Sequence, residues 1–281
     1  MNLQEASKHI TTQLSIIYSQ REAQNICNLL LEEITTLSQT ERIVNKALQL
    51  NEIEIKKVEN SLTQLLLHKP IQQILGYTWF AGNKFLVDEY VLIPRPETEE
   101  LAEYIVAENK GKQIFILDIG TGSGCIACSL KYKLANATVT AIDISNDALA
   151  IAKQNAANIG VDITLMQLNF LNKNTWKSLQ QFDIIVSNPP YIKENEKQKM
   201  NDNVLLHEPH LALFVPDNDA LIFYEKIAAF AQTHLKKDGT IWVEINEALG
   251  RNTAEVFINK GLQAEIKKDM QGKDRIIKAH F

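Results

Sequence analysis

Asn188-Pro189-Pro190-Tyr191 follows directly on Phe182–Ser187, a segment rich in branched apolar residues. That composition reads as a buried strand, so Asn188 stands at its carboxyl end. Two successive prolines fix φ and remove two N–H donors. The asparagine before them is therefore held in one geometry. Its side-chain oxygen and the Pro189 carbonyl are both acceptors. Together they can take both hydrogens of a planar –NH2 group, with the Tyr191 ring packed flat against it. The competing reading is a loop punctuated by prolines that holds no ligand.

A second cluster lies in "ILDIGTGSGCIA", Ile116 to Ala127. A strand runs into Asp118, then Gly120-Thr121-Gly122-Ser123-Gly124, then a helix. Glycines let backbone turn sharply and approach a ligand closely, and the helix start adds unpaired N–H groups. The spacing is G-x-G-x-G, which does not suit the pyrophosphate cradle of G-x-G-x-x-G. A tight strand-to-helix turn is the plain alternative. Asp143 ends the next strand, 23 positions after Gly120, placed to accept hydrogen bonds from both ribose hydroxyls of a nucleoside. Asp147 suits a helix start instead.

These residues need a scaffold that brings strand ends together. From Lys112 onward, candidate strands alternate with helical segments: Ile114–Ile119, Thr138–Ile142, Ile163–Leu168, Phe182–Ser187, Thr240–Ile245, Ala264–Lys268 and Arg275–Ala279. Ser145 can cap a helix that Gly160 ends. Alternation implies a mostly parallel sheet covered by helices on both faces, with ligands beyond the carboxyl ends of its strands. Asp118, Gly120, Asp143 and Asn188 all fall there.

Upstream, residues 1–74 read as a small all-helical domain. Leu3, Ala6, Ile10, Leu14 and Ile17 share one face, as do Ile26, Leu29, Leu30 and Ile34, and again Ile55, Val58, Leu62 and Leu65. Asn51 and Glu54 are spaced as an N-cap and its N3 partner. Pro70 follows the last of these helices. Residues 75–92, "YTWFAGNKFLVDEYVLI" in the main, read as a β-hairpin connector turning at Ala81-Gly82-Asn83. Residues 93–281 form the α/β domain.

Composition narrows the functional classes. The 281 residues are 45% hydrophobic and 22% charged, with a net charge of −5. Duplex-binding domains carry a basic excess, which is missing here. No apolar run approaches the ~20 residues of a membrane span, and the amino terminus lacks a secretory core. Cys27, Cys125 and Cys128 cannot make a disulfide framework. A cytoplasmic protein is expected. Cys125 and Cys128 read as packing residues under the sheet, not a metal or redox pair. His207 and His210 lack a third ligand, and Pro209 disfavours a regular helix between them. No metal is expected. Trp79, Trp176 and Trp242 read as core or hinge residues.

Taken in order, the glycine loop, Asp143 and Asn-Pro-Pro-Tyr resemble the class I S-adenosylmethionine-dependent methyltransferases, a Rossmann-like fold with a mostly parallel seven-stranded sheet. Asn-Pro-Pro-Tyr marks those that methylate amino groups. "PIQQILGYTWFAGNKFLVDEYVLIPRPETEEL" and "HEPHLALFVPDNDALIFYEKI" further resemble the peptide chain release factor N5-glutamine methyltransferases, and the resemblance covers nearly the whole chain. It implies methyl transfer to the glutamine of the Gly-Gly-Gln loop of class I release factors. S-adenosylmethionine is the implied cofactor and S-adenosylhomocysteine its product. A membrane or direct nucleic-acid partner is not implied. Gly120, Thr121, Gly122, Ser123 and Gly124 correspond to the cofactor loop, and Asp143 to the ribose acid. Asn188, Pro189, Pro190 and Tyr191 correspond to the substrate-amide site, with Asn188 also beside the cofactor. Where the family often has Asp-Trp over adenine, this chain has Asn169-Phe170, and Phe170 can still stack. Gln73 stands where many members have Tyr. Arg95, Glu97 and Thr98 are assigned to closing the site over substrate. A glutamine methyltransferase of a ribosomal protein, an adenine-N6 nucleic-acid methyltransferase and a nucleoside-binding scaffold are the alternatives.

Overall fold

The computed structural model describes residues 1–281. Five helices come first: α1 (Leu3–Leu14), α2 (Gln20–Thr35), α3 (Gln39–Val44), α4 (Glu52–Leu66) and α5 (Ile71–Leu75). A hairpin, β1 (Tyr77–Phe80) and β2 (Asn83–Leu86), leads to α6 (Pro96–Asn109), β3 (Phe115–Ile119), α7 (Cys125–Lys133), β4 (Thr138–Asp143), α8 (Asn146–Ile159), β5 (Thr164–Gln167) and β6 (Phe182–Ser187). Then come β7 (Ile192–Lys193), α9 (Asp202–His207), α10 (His210–Leu213), β8 (Phe214–Val215), α11 (Ile222–His234), β9 (Leu235–Glu244), α12 (Gly250–Ile258), β10 (Gln263–Lys268) and β11 (Asp274–His280). The chain divides into two compact units: Met1–Gly76 with Asn201–His207, and Tyr77–Met200 with Glu208–Phe281.

The helical unit is set out by its caps. Asn2 with Glu5, Ser38 with Glu41 and Asn51 with Glu54 each form a reciprocal capping box, and Ser19 caps α2. Each box satisfies two backbone donors that a helix start leaves open. The apolar faces then meet in one core that includes Ile10, Leu14, Leu30, Val58 and Leu62. Two positions depart from the sequence pattern. Ile17 lies beyond α1, which stops at Leu14; the Ser15 hydroxyl donates back to Thr11 O at 2.7 Å, an alternative to continuing the helix. Leu29 is exposed, because α2 turns Cys27, Leu30 and Leu31 inward instead. Pro70 heads a further helix, α5, as its N-cap. Within this unit the Gln73 amide donates to His207 O at 2.8 Å, and the His207 ring meets Leu67 O at 2.8 Å.

The second unit opens with the antiparallel β1–β2 hairpin. Its turn residues Ala81 and Gly82 both have positive φ, +49° and +83°, as a tight two-residue hairpin requires. Trp79 is 63% exposed, so it is not a core residue; its neighbour Phe80 takes the inward position on the alternating strand. The main sheet has seven strands in the order β10-β11-β9-β6-β3-β4-β5. β9, β6, β3, β4 and β5 run parallel, while β11 pairs antiparallel with β9 and β10. Both faces are covered, so the central strands are mainly apolar, with Asp118, Asp183 and Glu244 among the exceptions. Leu117, Ile185, Ile241 and Val243 pack under α11 and α12, whereas Ile116, Ile184, Val186 and Trp242 pack under α6 and α7. β9 begins at Leu235, five residues before the sequence pattern predicts, because Leu235 pairs with Phe182 across an irregular register.

β3 has β4 on one side and β6 on the other. Successive connections leave in opposite directions there, which opens a crevice at the carboxyl ends. No helix is long and apolar enough to cross a membrane.

Candidate active site

One cavity occupies that crevice. Gly120 and Gly122 after β3, Asp143 at the end of β4, Phe170 after β5, and Asn188 with Pro190 after β6 all line it. The outer wall is apolar, with Val91, Leu92 and Leu211 among its residues.

The glycine loop is held by its own backbone. Gly120 and Thr121 N–H groups donate to Ile142 O at 2.9 and 3.0 Å, and Gly124 N–H to Thr121 O at 2.8 Å. Gly122 N–H donates to Asp143 Oδ2 at 2.9 Å. The loop amides are thus largely engaged, and its contribution to the cavity is Cβ-free surface. Gly120 and Gly122 have φ of +71° and +54°, with nothing within 4 Å of where a Cβ would stand. Gly124 serves packing: at φ +78°, its Cβ would lie 3.0 Å from Ala152 Cβ. Thr121 and Ser123 turn away from the cavity and are buried. Thr121 donates to Asp118 Oδ2 at 2.6 Å. Burial pushes the Asp118 carboxyl up to about 7, against the hydrogen bond from Thr121.

Asp143 also accepts from Ser145 N–H, through Oδ1 at 2.9 Å. Ser145 in turn caps α8, which Gly160 ends in the left-handed conformation. Each Asp143 oxygen has spent one bond, and a carboxylate offers about four acceptor sites. Phe170 is 5% exposed and is part of an aromatic cluster, 5.4 Å from both Trp176 and Phe230. Its ring edges the cavity from that fixed position. Asn169 is exposed, and its side chain accepts from Leu171 N–H at 3.1 Å.

The other end of the cavity is built by long-range side-chain contacts. Asn188 Nδ2 donates to Thr98 Oγ1 at 3.1 Å, and Thr98 donates to Glu244 Oε2 at 2.6 Å. Tyr191 donates from its hydroxyl to Glu244 Oε1 at 3.3 Å. Tyr191 and the buried Pro189 lie outside the cavity lining, which Asn188 and Pro190 reach. Glu244 is 2% exposed. Burial raises its carboxyl above the ordinary range, against Thr98 and Arg275, which favour the charge. Burial also pushes the Tyr191 and Tyr224 phenols up.

Thr98 is therefore beside Asn188. Arg95 and Glu97 are not among the lining residues. Arg95 Nη2 is bound to Glu208 Oε1 at 2.5 Å, and Glu208 Oε2 accepts from Ile93 N–H at 3.1 Å. Glu97 is half-buried and contributes charge near Glu244.

Glu244 and Glu208 are the site residues that the sequence reading missed. Each had a signal. Glu244 interrupts the apolar run "IWVEI" on a strand buried on both faces, where a charge is costly unless partnered. Glu208 stands between the two histidines of "HEPH", whose metal-like spacing drew attention from it. No group of three or more His, Cys, Asp or Glu side chains is placed to hold a metal ion. Cys125 and Cys128 are buried, free, and pushed up by desolvation, packed in the core beside Ile126 and Leu130.

Comparison with known proteins gives this geometry its relatives. The family model described as "Methyltransferase small domain" matches residues 97–215, and the "PrmC N-terminal domain" matches residues 5–76. A release factor glutamine methyltransferase of Flavobacterium psychrophilum is 46% identical over 273 residues, 95% of each chain. Its counterpart from Bacteroides thetaiotaomicron is 40% identical, over 97% of this chain and 98% of its own. A solved methyltransferase from Pyrococcus furiosus, 19% identical, superposes with a TM-score of 0.51 over 79% of this chain and 98% of its own, which shows the shared fold. With matches of that identity along almost its full length, this chain belongs to the release factor glutamine methyltransferase family.

Proposed function

We propose that this protein transfers a methyl group from S-adenosylmethionine to the side-chain nitrogen, N5, of the glutamine in the Gly-Gly-Gln loop of class I release factors. Family membership supports the reaction and the partner. The observation that carries the site assignment is the direction of the Asn188 amide. Its nitrogen is tied back to Thr98, which leaves Oδ1 as the acceptor offered at the end of β6.

The cavity fits the cofactor. Gly120 and Gly122 keep its floor free of side chains. Asp143 keeps lone pairs for the two ribose hydroxyls, and Phe170 offers an aromatic edge beside an apolar wall. Gly120 and Gly122, Asp143, Phe170 and Asn188 would hold it, with Thr121, Ser123 and Gly124 shaping the loop from behind. When bound, it supplies a methyl group on a positively charged sulfur.

A carboxamide nitrogen is a poor nucleophile because its lone pair is delocalised into the carbonyl. No ordinary side chain removes its proton at neutral pH. Asn188 Oδ1 and Pro189 O instead accept its two N–H bonds. Those bonds strengthen as positive charge grows on the nitrogen, so they favour the transition state over the ground state; once the nitrogen carries the methyl group it releases one of its two protons to solvent, leaving the neutral N-methyl amide. Two prolines hold both acceptors in place before substrate arrives, and positioning supplies much of the remaining acceleration. Tyr191, fixed through Glu244, packs behind this bend. Pro190, Arg95, Glu97 and Thr98 complete the substrate end, Thr98 by orienting Asn188 and Arg95 by pairing with Glu208.

Residues 1–74 are assigned to recognising the release factor, 75–92 to the connector and 93–281 to catalysis, in a cytoplasmic setting without membrane or direct nucleic-acid contact. The helical unit exposes Ile43 and Val44 on α3, apolar surface suited to a protein partner. The test is incubation with labelled methyl donor and a panel of release factor, ribosomal protein, DNA and RNA. Label on the Gly-Gly-Gln glutamine of the release factor is the expected result. Label on any of the others, with none on the release factor, overturns the reading.

A further inference from the structure

Glu244 is a buried carboxylate that the reaction itself does not use, and it ends the strand beside the one that carries Asn188. An ionised carboxylate only accepts hydrogen bonds. The Thr98 hydroxyl therefore gives its single proton to Glu244 Oε2, at 2.6 Å. Thr98 Oγ1 is left as an acceptor, and only an N–H can face it. Asn188 Nδ2 does so at 3.1 Å. Turning the amide over would set Asn188 Oδ1 against the Thr98 oxygen with no proton between them. The direction of an asparagine amide, otherwise a nearly even choice, is thus dictated from behind.

We propose that Glu244 is a positioning residue for methyl transfer: acting through Thr98, it fixes which end of the Asn188 amide faces the substrate. This rests on Asn188 Oδ1 being the acceptor for the substrate amide, as argued above. Tyr191 gives its proton to the other oxygen, Oε1, so one carboxylate orients both ends of the Asn-Pro-Pro-Tyr turn. Once protonated, Glu244 becomes a donor; Thr98 is then free to donate in its turn, and the amide is released to flip. The groups that face Glu244 are Glu97 on α6, Tyr191 after β6, Tyr224 on α11 and Arg275 on β11. Arg275 favours the charged form, while Glu97 and burial oppose it.

Two measurements test this. In protein labelled with 15N-asparagine, the Asn188 side-chain NH2 signals are identified by their disappearance in Asn188→Ala. Wild type is expected to give one slowly exchanging pair that changes as the solution is acidified through the Glu244 titration. Glu244→Gln is expected to give shifted or doubled signals that no longer respond to acid. Unchanged Asn188 signals in Glu244→Gln overturn the proposal without reference to any substrate. The second measurement is a double-mutant cycle on release factor methylation. Glu244→Gln is expected to cost about tenfold in kcat in wild type and nearly nothing in Asn188→Ala, since its effect passes through that side chain. An equal cost in both backgrounds shows a structural role only and rejects the proposal. Thr98→Val, with the same shape and no hydroxyl, is expected to reproduce the Glu244→Gln effect, and Thr98→Ser to recover much of it. Absence of methyl transfer by wild type would reject the functional reading, while the amide signals would still decide the role of Glu244.

Discussion

The two ends of the cavity are made in opposite ways. At the cofactor end, the partners are close in sequence or joined by backbone: Gly120 and Thr121 bond to Ile142 O, and Asp143 bonds to Gly122 and Ser145. At the substrate end, Asn188 depends on Thr98, 90 residues away, and Thr98 on Glu244, 146 away. Backbone-built geometry survives most side-chain changes. Geometry built by a relay of side chains fails when any one member is removed. The cofactor end should therefore lose affinity by degrees, while the substrate end should lose turnover abruptly with the fold intact.

The sharpest break is Asn188→Ala. It removes one preorganised acceptor, worth roughly 3 kcal/mol or about a hundredfold in kcat, and should leave the melting temperature near wild type. Single-turnover methylation at the wild-type rate would contradict the assignment.

Next is the pH response of Asp118, which sits under the glycine loop. Its carboxyl titrates at about 7 when folded, against 3.8 as its ordinary value. The folded protein therefore keeps a proton that the unfolded chain has released. The resulting stability is fully present below about pH 3.8 and is lost as pH rises through about 7, a swing on the order of 4 kcal/mol. Asp118→Asn should remove that swing, so the stability of wild type relative to the variant should fall between pH 4 and pH 7. Urea melts at several pH values read this directly; a constant difference would show that Asp118 titrates normally.

Gly124→Ala should cost about 2 kcal/mol, combining left-handed strain with the close approach to Ala152. Gly122→Ala has the same backbone strain and open space around it, so its cost should stay near 1 kcal/mol. Equal denaturation midpoints for the two variants would remove the packing role of Gly124. Asp143→Ala should weaken S-adenosylmethionine binding about tenfold, on the order of 1.4 kcal/mol, through the loss of hydrogen bonds to its carboxylate. Unchanged affinity by calorimetry would take Asp143 out of the cofactor site.

The same contrast governs what could be read from the sequence. Capping boxes, the Ala81-Gly82 turn, Ser145 and Gly160 around α8, and the strand ends at Asp143 and Asn188 are all local in the chain. Their residue types announce them. Long-range contacts leave only indirect marks. Trp79 has a core residue's composition yet points outward, because its strand alternates and Phe80 takes the inward place. Leu29 fits the helical period, but the neighbouring helices decide which stripe of α2 is covered. Glu244 and Glu208 gain their meaning from Thr98, Tyr191 and Arg95, none of them near in sequence. A lone carboxylate inside an apolar strand was the trace that Glu244 left.

The most direct measurement is a crystal structure of the protein with S-adenosylhomocysteine and a release factor fragment carrying Gly-Gly-Gln. The glutamine nitrogen should lie within hydrogen-bond reach of Asn188 Oδ1 and Pro189 O, with Asn188 Nδ2 still on Thr98. A glutamine that meets those oxygens with its own carbonyl, or a site beside Asn188 that the glutamine never enters, would contradict the account.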